Sequence, residues 1–230
     1  MVECRQEFHN NVGSVLTFMP KNKQLHSAIY NVKYEQSFCM IKPDGVKRGL
    51  AGEIIHRIEK AGLKVVAMKM LVPTEQMVRA HYPASDEAWV NRLGQKGLSG
   101  FESLPHVTPK EVLGTDDTMA LGKDVVESLV RYMQSGPVVA MVVEGIQAVD
   151  MVRKLAGHTL PYKAAVGTIR GDFSVDSPSV ANTEKRAIHN LFHASETAAE
   201  ALNEIKLWFA GEPTHDYDLG NDQIMYAKHY

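Results

Sequence analysis

The sequence lacks most features that would assign it to a specialised class of protein. Among its 230 residues there are two cysteines, Cys4 and Cys39, whose separation fits neither a metal site nor a redox motif. No apolar run approaches the length of a membrane span, and the short apolar patch at Val15–Met19 does not make a signal peptide. The formal net charge of -2 gives no drive toward nucleic acid or anionic membrane. We therefore expect a cytoplasmic protein that has no membrane contact and no specific nucleic-acid partner.

The common phosphate-binding loops are also missing. Neither G-x-x-x-x-G-K-[ST] nor G-x-G-x-x-G occurs, so the sequence supports neither a P-loop nor a Rossmann mode of nucleotide binding. Any polyanion must instead meet individually placed Lys and Arg side chains. A hydrophobic content of 44% is sufficient for a buried core.

The hydrophobic pattern alternates between strands and helices. Residues 1–35 are polar and irregular and are interpreted as an N-terminal extension, and residues 212–230 as a polar tail. Between them, over 36–211, the pattern predicts four strands, at Phe38–Ile41, Leu63–Val72, Val138–Val143 and Val166–Ile169. Helices are predicted between these strands, and the clearest one follows Thr197. Two segments, about 83–122 and 174–187, have the character of helical or loop insertions, and a short strand is possible near Ile224–Tyr226. This order predicts an α+β fold, a ferredoxin-like sandwich with an antiparallel four-stranded sheet.

Several residues could carry chemistry. His193 lies in a short segment just ahead of the last helix, and neutral imidazole is a competent nucleophile near neutral pH. Lys42, Arg153 and Arg170 stand at strand ends or in turns, where they could neutralise the charge on transferring phosphoryl oxygens. Taken singly, each is more often a solvated or packed residue. Asp116 and Asp117 could suggest a cation site, but helix N-caps are the better interpretation because other hard ligands are missing.

Four motifs in order give the chain a resemblance to nucleoside diphosphate kinases. They are MIKPDGV (Met40–Val46), SGPVVAM (Ser135–Met141), GTIRGDF (Gly167–Phe173) and N-x-x-HAS (Asn190–Ser195). The resemblance covers about 36–211. It implies transfer of the γ-phosphate of ATP or another nucleoside triphosphate to a nucleoside diphosphate, in a ping-pong reaction through a phosphohistidine. It also implies Mg²⁺ carried on the substrate phosphates, with no dedicated metal ligands, and a homo-oligomer, either a hexamer or a tetramer.

The resemblance also implies roles for individual residues. His193 would be the nucleophile, and Glu204 would hydrogen-bond to its far ring nitrogen. Lys42 and Asn190 match the sugar contacts, and Tyr82 matches a tyrosine near the phosphates. Arg153 and Thr159 would grip the phosphate chain, and Arg170 would lie nearest the transferred group.

The chain departs from the family pattern at three places. Val125 stands where the family has a phenylalanine that stacks on the base, so Trp89 or Phe101 of the insertion is a candidate replacement. His189 replaces an arginine, which is interpreted as a structural substitution, and Val166 replaces a proline in a loop that often contacts other subunits. These departures and the long extension leave an alternative open, a catalytically weak relative that acts as a nucleotide-binding regulatory protein.

Overall fold

The computed structural model describes residues 32–102, 104, 106–220 and 222–225, with side chains placed except at 222 and 223. The predicted role of 1–35 as an extension therefore falls almost wholly outside the described residues. The strands are β1 (Glu35–Ile41), β2 (Lys64–Leu71), β3 (Val138–Gly145) and β4 (Phe192–Ala194). The helices are α1 (Pro43–Lys47), α2 (Ala51–Lys60), α3 (Glu75–His81), α4 (Glu87–Ser99), α5 (Pro109–Leu113), α6 (Thr118–Met133), α7 (Ala148–Ala156), α8 (Ile169–Phe173), α9 (Pro178–Thr183), α10 (Ala198–Trp208) and α11 (Asp222–Met225), with a 3₁₀ turn at Pro161–Lys163.

The four strands form one antiparallel sheet in the order β2-β3-β1-β4. Side chains of β1 alternate between two cores, as the two-residue period of a strand requires. Phe38 and Met40 pack on one face with Trp208 of α10, while Cys39 and Ile41 pack on the other with α2 and α7. This arrangement confirms the predicted α+β fold with a four-stranded antiparallel sheet.

The predicted position of the fourth strand was wrong. Val166 is 91% exposed, and Gly167 has φ +90°, which turns the chain away from an extended course. Thr168 then caps α8 by accepting a hydrogen bond from the Gly171 N–H at 3.1 Å. The segment Val-Gly-Thr-Ile is too short to show the period of a strand or of a helix, and its two β-branched residues after Gly167 belong to the start of a helix. The fourth strand is Phe192–Ala194, the segment that carries His193.

The tail and the insertions also differ in part from the predictions. Ile224 and Met225 belong to helix α11 and not to a strand, while Tyr226 lies outside the described residues. The second inserted segment contains α9. Asp117 caps α6 by accepting hydrogen bonds from two backbone N–H groups, so its interpretation as a helix cap is confirmed. Within the described ranges, no helix is both long enough and apolar enough to cross a lipid bilayer.

Glycines fix the first insertion against the rest of the fold. A Cβ added at Gly94 of α4 would lie 1.8 Å from the Thr118 carbonyl oxygen, and one at Gly122 of α6 would lie 2.1 Å from the Val90 carbonyl oxygen. Helices α4 and α6 therefore approach backbone to backbone, a distance that only glycine permits. This contact holds α4 firmly against α6.

Candidate active site

His193 is held by β4, an edge strand of the sheet, and it is half-buried. It lies opposite Met40 of β1 in the register of the sheet. The chain reaches it through Leu191, a buried residue with φ +66°, which is an unfavourable backbone conformation for a leucine. Asp44 stabilises this turn, since its carboxylate accepts a hydrogen bond from the Leu191 N–H at 3.2 Å.

Glu204 orients the His193 ring. Its Oε1 lies 2.7 Å from His193 Nε2, and its other oxygen accepts a hydrogen bond from the Ser195 hydroxyl. A carboxylate only accepts, so Nε2 carries the proton and Nδ1 keeps its lone pair. Burial, followed by the charges of Lys42 and Arg170, holds the pKa of His193 well below its ordinary 6.5, so the imidazole is neutral at pH 7. The ring is therefore prepared as a nucleophile at Nδ1.

A second imidazole, His81, packs against the first. The two ring centroids are 4.5 Å apart, and His81 Nδ1 lies 3.2 Å from Glu204 Oε1 and 3.3 Å from Trp208 Nε1. Burial lowers the pKa of His81 to about 3, so it is neutral and its contact with Glu204 is not an ion pair. Sequence reasoning did not select His81, although its position directly before Tyr82 was a usable signal.

Lys42 and Asn190 form a buried pair beside the histidine. The Lys42 ammonium donates a hydrogen bond of 2.8 Å to Asn190 Oδ1, and Asn190 Nδ2 donates one of 3.0 Å to the Thr159 carbonyl oxygen. Burial, followed by the nearby Arg170 charge, lowers the pKa of Lys42 to about 8. Lys42 therefore carries its positive charge in most molecules at pH 7 and loses it as the pH rises through about 8.

Arg170 joins the segments around the site. Its guanidinium donates to the carbonyl oxygens of Gly157 and Phe192, both at 2.6 Å, and to that of Asn190 at 3.3 Å. It is 7% exposed, and burial lowers its pKa to about 10, so it stays charged at neutral pH. Arg170 thus joins the backbone that leads into His193 to that of Gly157, and it adds positive charge to the site.

All eight predicted site residues line one cavity of about 300 Å³. They are Lys42, Tyr82, Arg153, Thr159, Arg170, Asn190, His193 and Glu204. The Tyr82 hydroxyl is buried and has no hydrogen-bond partner among the residues that the structure describes. Arg153 lies at the rim, 3.8 Å from Glu196, with its side chain 44% exposed. Three cations around a neutral imidazole make a cavity suited to a polyphosphate.

One group of potential metal ligands lies in the cavity, in the part of the chain that the structure describes. The group of three potential metal ligands there is His81, His193 and Glu204, whose ligand atoms lie within 4.8 Å of one another. Two of the three are imidazoles, whereas Mg²⁺ prefers oxygen ligands in near-octahedral geometry. We interpret this group as the hydrogen-bonded support of His193.

The structure separates the two candidates for the base-stacking residue and shows the surroundings of His189. Val125 and Trp89 line the cavity, whereas Phe101 is buried and is not among the lining residues. His189 stacks on Tyr132 with 5.1 Å between ring centroids, which agrees with a structural role.

Comparisons with known proteins agree with this geometry. The family model described as "Nucleoside diphosphate kinase" matches residues 35–95 and 118–214. The chain is 48% identical over 178 residues to the nucleoside diphosphate kinase of Pyrobaculum aerophilum, which covers 77% of this chain and 96% of that protein. The crystal structure of the NDP kinase from that organism matches with a TM-score of 0.72 at 46% identity, covering 78% of this chain and 97% of the other.

A second solved structure is described as a transition-state mimic. It is the nucleoside-diphosphate kinase of Borrelia burgdorferi with bound vanadate and ADP, and it matches with a TM-score of 0.67 at 34% identity. The match covers 84% of this chain and 97% of that one. With more than half of its residues matched by the family model and a relative at 48% identity, the chain belongs to the nucleoside diphosphate kinase family.

Proposed function

We propose that this protein transfers the γ-phosphate of ATP or another nucleoside triphosphate to a nucleoside diphosphate through a phosphohistidine on His193, and so maintains the pools of NTPs and dNTPs. The observation that carries the proposal is the neutral His193 ring, whose Nε2–H is held by Glu204 at 2.7 Å while Nδ1 stays available. A binding protein without turnover has no physical need for this arrangement. The site supports the active enzyme over a purely regulatory relative.

The reaction divides into two balanced half-reactions. In the first, the Nδ1 lone pair of His193 attacks the γ-phosphorus, a P–N bond forms, and the bond to the bridging oxygen breaks, so that a nucleoside diphosphate leaves. In the second, a terminal oxygen of another nucleoside diphosphate attacks the same phosphorus and the P–N bond breaks. Glu204 stabilises the positive charge that develops on the ring.

The cations of the cavity have separate tasks in this proposal. Arg170, beside the histidine, neutralises charge on the equatorial oxygens of the transferring group, and Arg153 with Thr159 holds the remaining phosphates at the rim. Lys42 and Asn190 hold the ribose hydroxyls. Tyr82, whose hydroxyl is unpaired within the described residues, is placed to donate to a phosphate oxygen. Mg²⁺ carried by the nucleotide would supply further neutralisation of the phosphate charge.

The proposal extends to a homo-oligomer, a tetramer or a hexamer. Met68 and Met70 of β2, an edge strand of the sheet, form an exposed apolar row with Val72 just beyond the strand, and they are 55%, 61% and 58% exposed. A row of this kind on an edge strand favours burial against another copy. Light scattering measures the number of subunits, and a monomeric mass would contradict this part of the proposal.

We also propose a cytoplasmic location with no specific nucleic-acid partner. The reaction draws on a pool of nucleoside triphosphates, and the buried thiol of Cys39 has no disulfide partner among the described residues. Any retention on a DNA column should vanish at moderate salt. Retention that persists at high salt would contradict this part.

A coupled assay with ATP and GDP tests the activity. We expect transfer by the wild-type protein and its loss in His193→Ala, with His56→Ala as a matched control because His56 is an exposed histidine on α2 outside the cavity. Activity retained by His193→Ala would contradict the mechanism.

A further inference from the structure

The active-site cavity extends beyond the catalytic residues toward helix α4. Two cations line this part of the cavity, Lys96 of α4 and Arg186, and the uncharged residues between them are Trp89, Leu93 and Gly97 of α4 with Pro178 and Asn182 of α9. A nucleotide joins a polyanionic phosphate chain to an uncharged aromatic base. The phosphates require the cations near His193, whereas the base requires an apolar or aromatic surface farther along the wall.

Trp89 is the large aromatic surface in this part of the cavity. The indole is half-buried and stacks on Tyr82, with 6.1 Å between ring centroids and 26° between planes. Because Tyr82 also lines the cavity, the two rings form a continuous aromatic wall that leads from the catalytic end toward α4. The neighbouring wall residues Val125, Leu129 and Ile188 are aliphatic and offer no π surface.

Helix α4 is a rigid support for this ring. Asp86 caps its N-terminus by accepting hydrogen bonds from the N–H groups of Ala88 and Trp89, at 2.9 and 3.2 Å. Gly94 fixes the helix against α6, and a Cβ added at Gly100 would lie 2.8 Å from the Ser179 backbone nitrogen of α9. Aromatic platforms are most effective when their support is preorganised, because little freedom is then lost on binding.

From this placement we infer that Trp89 is the base-contacting residue of the enzyme, and that it favours purine over pyrimidine nucleotides. The inference rests on the proposed function and adds to it the residue that recognises the base. Stacking requires only a π face, so all bases bind, but a purine overlaps the indole over a larger area. Trp89 thus supplies the contact to the base, while the residues around His193 supply the chemistry.

The experiment separates the base from the rest of the substrate. Phosphoryl transfer from ATP is measured with GDP, CDP and ribose 5-diphosphate, which has no base, as acceptors. In Trp89→Leu we expect the KM for GDP to rise about tenfold, that for CDP to rise less, and that for ribose 5-diphosphate to stay unchanged. Trp89→Phe, which keeps a ring, should retain most of the affinity for GDP. Leu98→Ala is the matched control, a half-buried residue of α4 outside the cavity lining.

Three results would overturn the inference. In Trp89→Leu these are an unchanged KM for GDP, an equal rise in the KM for all three acceptors, and a rise in KM that is larger for CDP than for GDP. Fluorescence of the wild-type protein adds a readout that needs no variant, since the other tryptophan, Trp208, is 1% exposed. ADP should quench the emission and ribose 5-diphosphate should not, and equal effects of the two would contradict a base contact.

The same protein samples distinguish a failure of the proposed function from a failure of the inference about Trp89. If the wild-type protein forms no phosphoenzyme with ATP, the proposed function fails. If a phosphoenzyme forms and the KM values do not discriminate between acceptors with and without a base, the inference about Trp89 alone fails.

Discussion

Replacing Glu204 tests how much of the activity depends on the orientation of the histidine. Glu204 is 5% exposed, and its two oxygens hold His193 Nε2 at 2.7 Å and the Ser195 hydroxyl. In Glu204→Ala the ring loses a charge-assisted hydrogen bond worth about 1.5–3 kcal/mol, which corresponds to roughly a 10- to 150-fold reduction in kcat. The effect should fall on kcat, because Glu204 orients the nucleophile and is proposed to make no contact with the nucleotide.

Glu204→Gln should be milder than Glu204→Ala. The amide oxygen can still accept from His193, and the amide nitrogen can donate to Ser195, whose hydroxyl already reaches the Phe38 carbonyl oxygen at 3.1 Å. Only the charge is lost, so we expect roughly a tenfold reduction in kcat, since charge-assisted bonds are about twice as strong as neutral ones.

Rapid-quench measurement of phosphoenzyme formation provides the assay. Lys206→Gln is the control, because Lys206 is an exposed charged residue on the same helix. The reasoning would be refuted by a kcat of Glu204→Ala within experimental error of the wild type, or by a rise in KM alone. A second readout is the phosphorylated atom, which we expect to be Nδ1 in the wild type and a mixture of Nδ1 and Nε2 in Glu204→Ala.

Three further predictions follow from the same geometry. The kcat/KM should fall as the pH rises through about 8, because Lys42 then loses the charge that strengthens its hydrogen bond to the ribose hydroxyls. A flat profile up to pH 9.5 would contradict this. Arg170→Lys should lower the free energy of unfolding by roughly 2 kcal/mol, because a lysine cannot reach all three carbonyl groups. An unchanged midpoint of denaturant unfolding would contradict the role of Arg170 in joining these segments. Gly94→Ala should lower the Tm because its methyl group meets the Thr118 carbonyl oxygen, whereas Gly52→Ala, at an open position, should not.

The sequence was sufficient to predict the parts of the site that depend on residue type in a local motif. Lys42, Arg170, Asn190 and His193 were selected from short motifs, and each lines the same cavity. The antiparallel sheet was also predicted, from the order of strands and helices along the chain. The continuous apolar run of β3 indicated a central strand, which is confirmed.

Other features depended on contacts between distant segments. β4 has only three residues and is recognised by its pairing with β1. The sequence alone therefore did not distinguish it from the candidate strand at Val166–Ile169. The role of His81 depends on its contacts with Glu204 and Trp208, which are both more than a hundred residues away in the sequence. Similarly, the sequence left Trp89 and Phe101 as equal candidates, and only the packing of α4 decided between them.

The central claim is that phosphate passes through His193, and isolation of the intermediate tests it most directly. The protein is incubated with ATP labelled in its γ-phosphate, freed of nucleotide, mapped by mass spectrometry and then mixed with CDP. We predict an acid-labile phosphate on His193 Nδ1, released as labelled CTP on addition of CDP. Label on another residue, or CTP formed only when ATP and CDP are present together, would contradict the account.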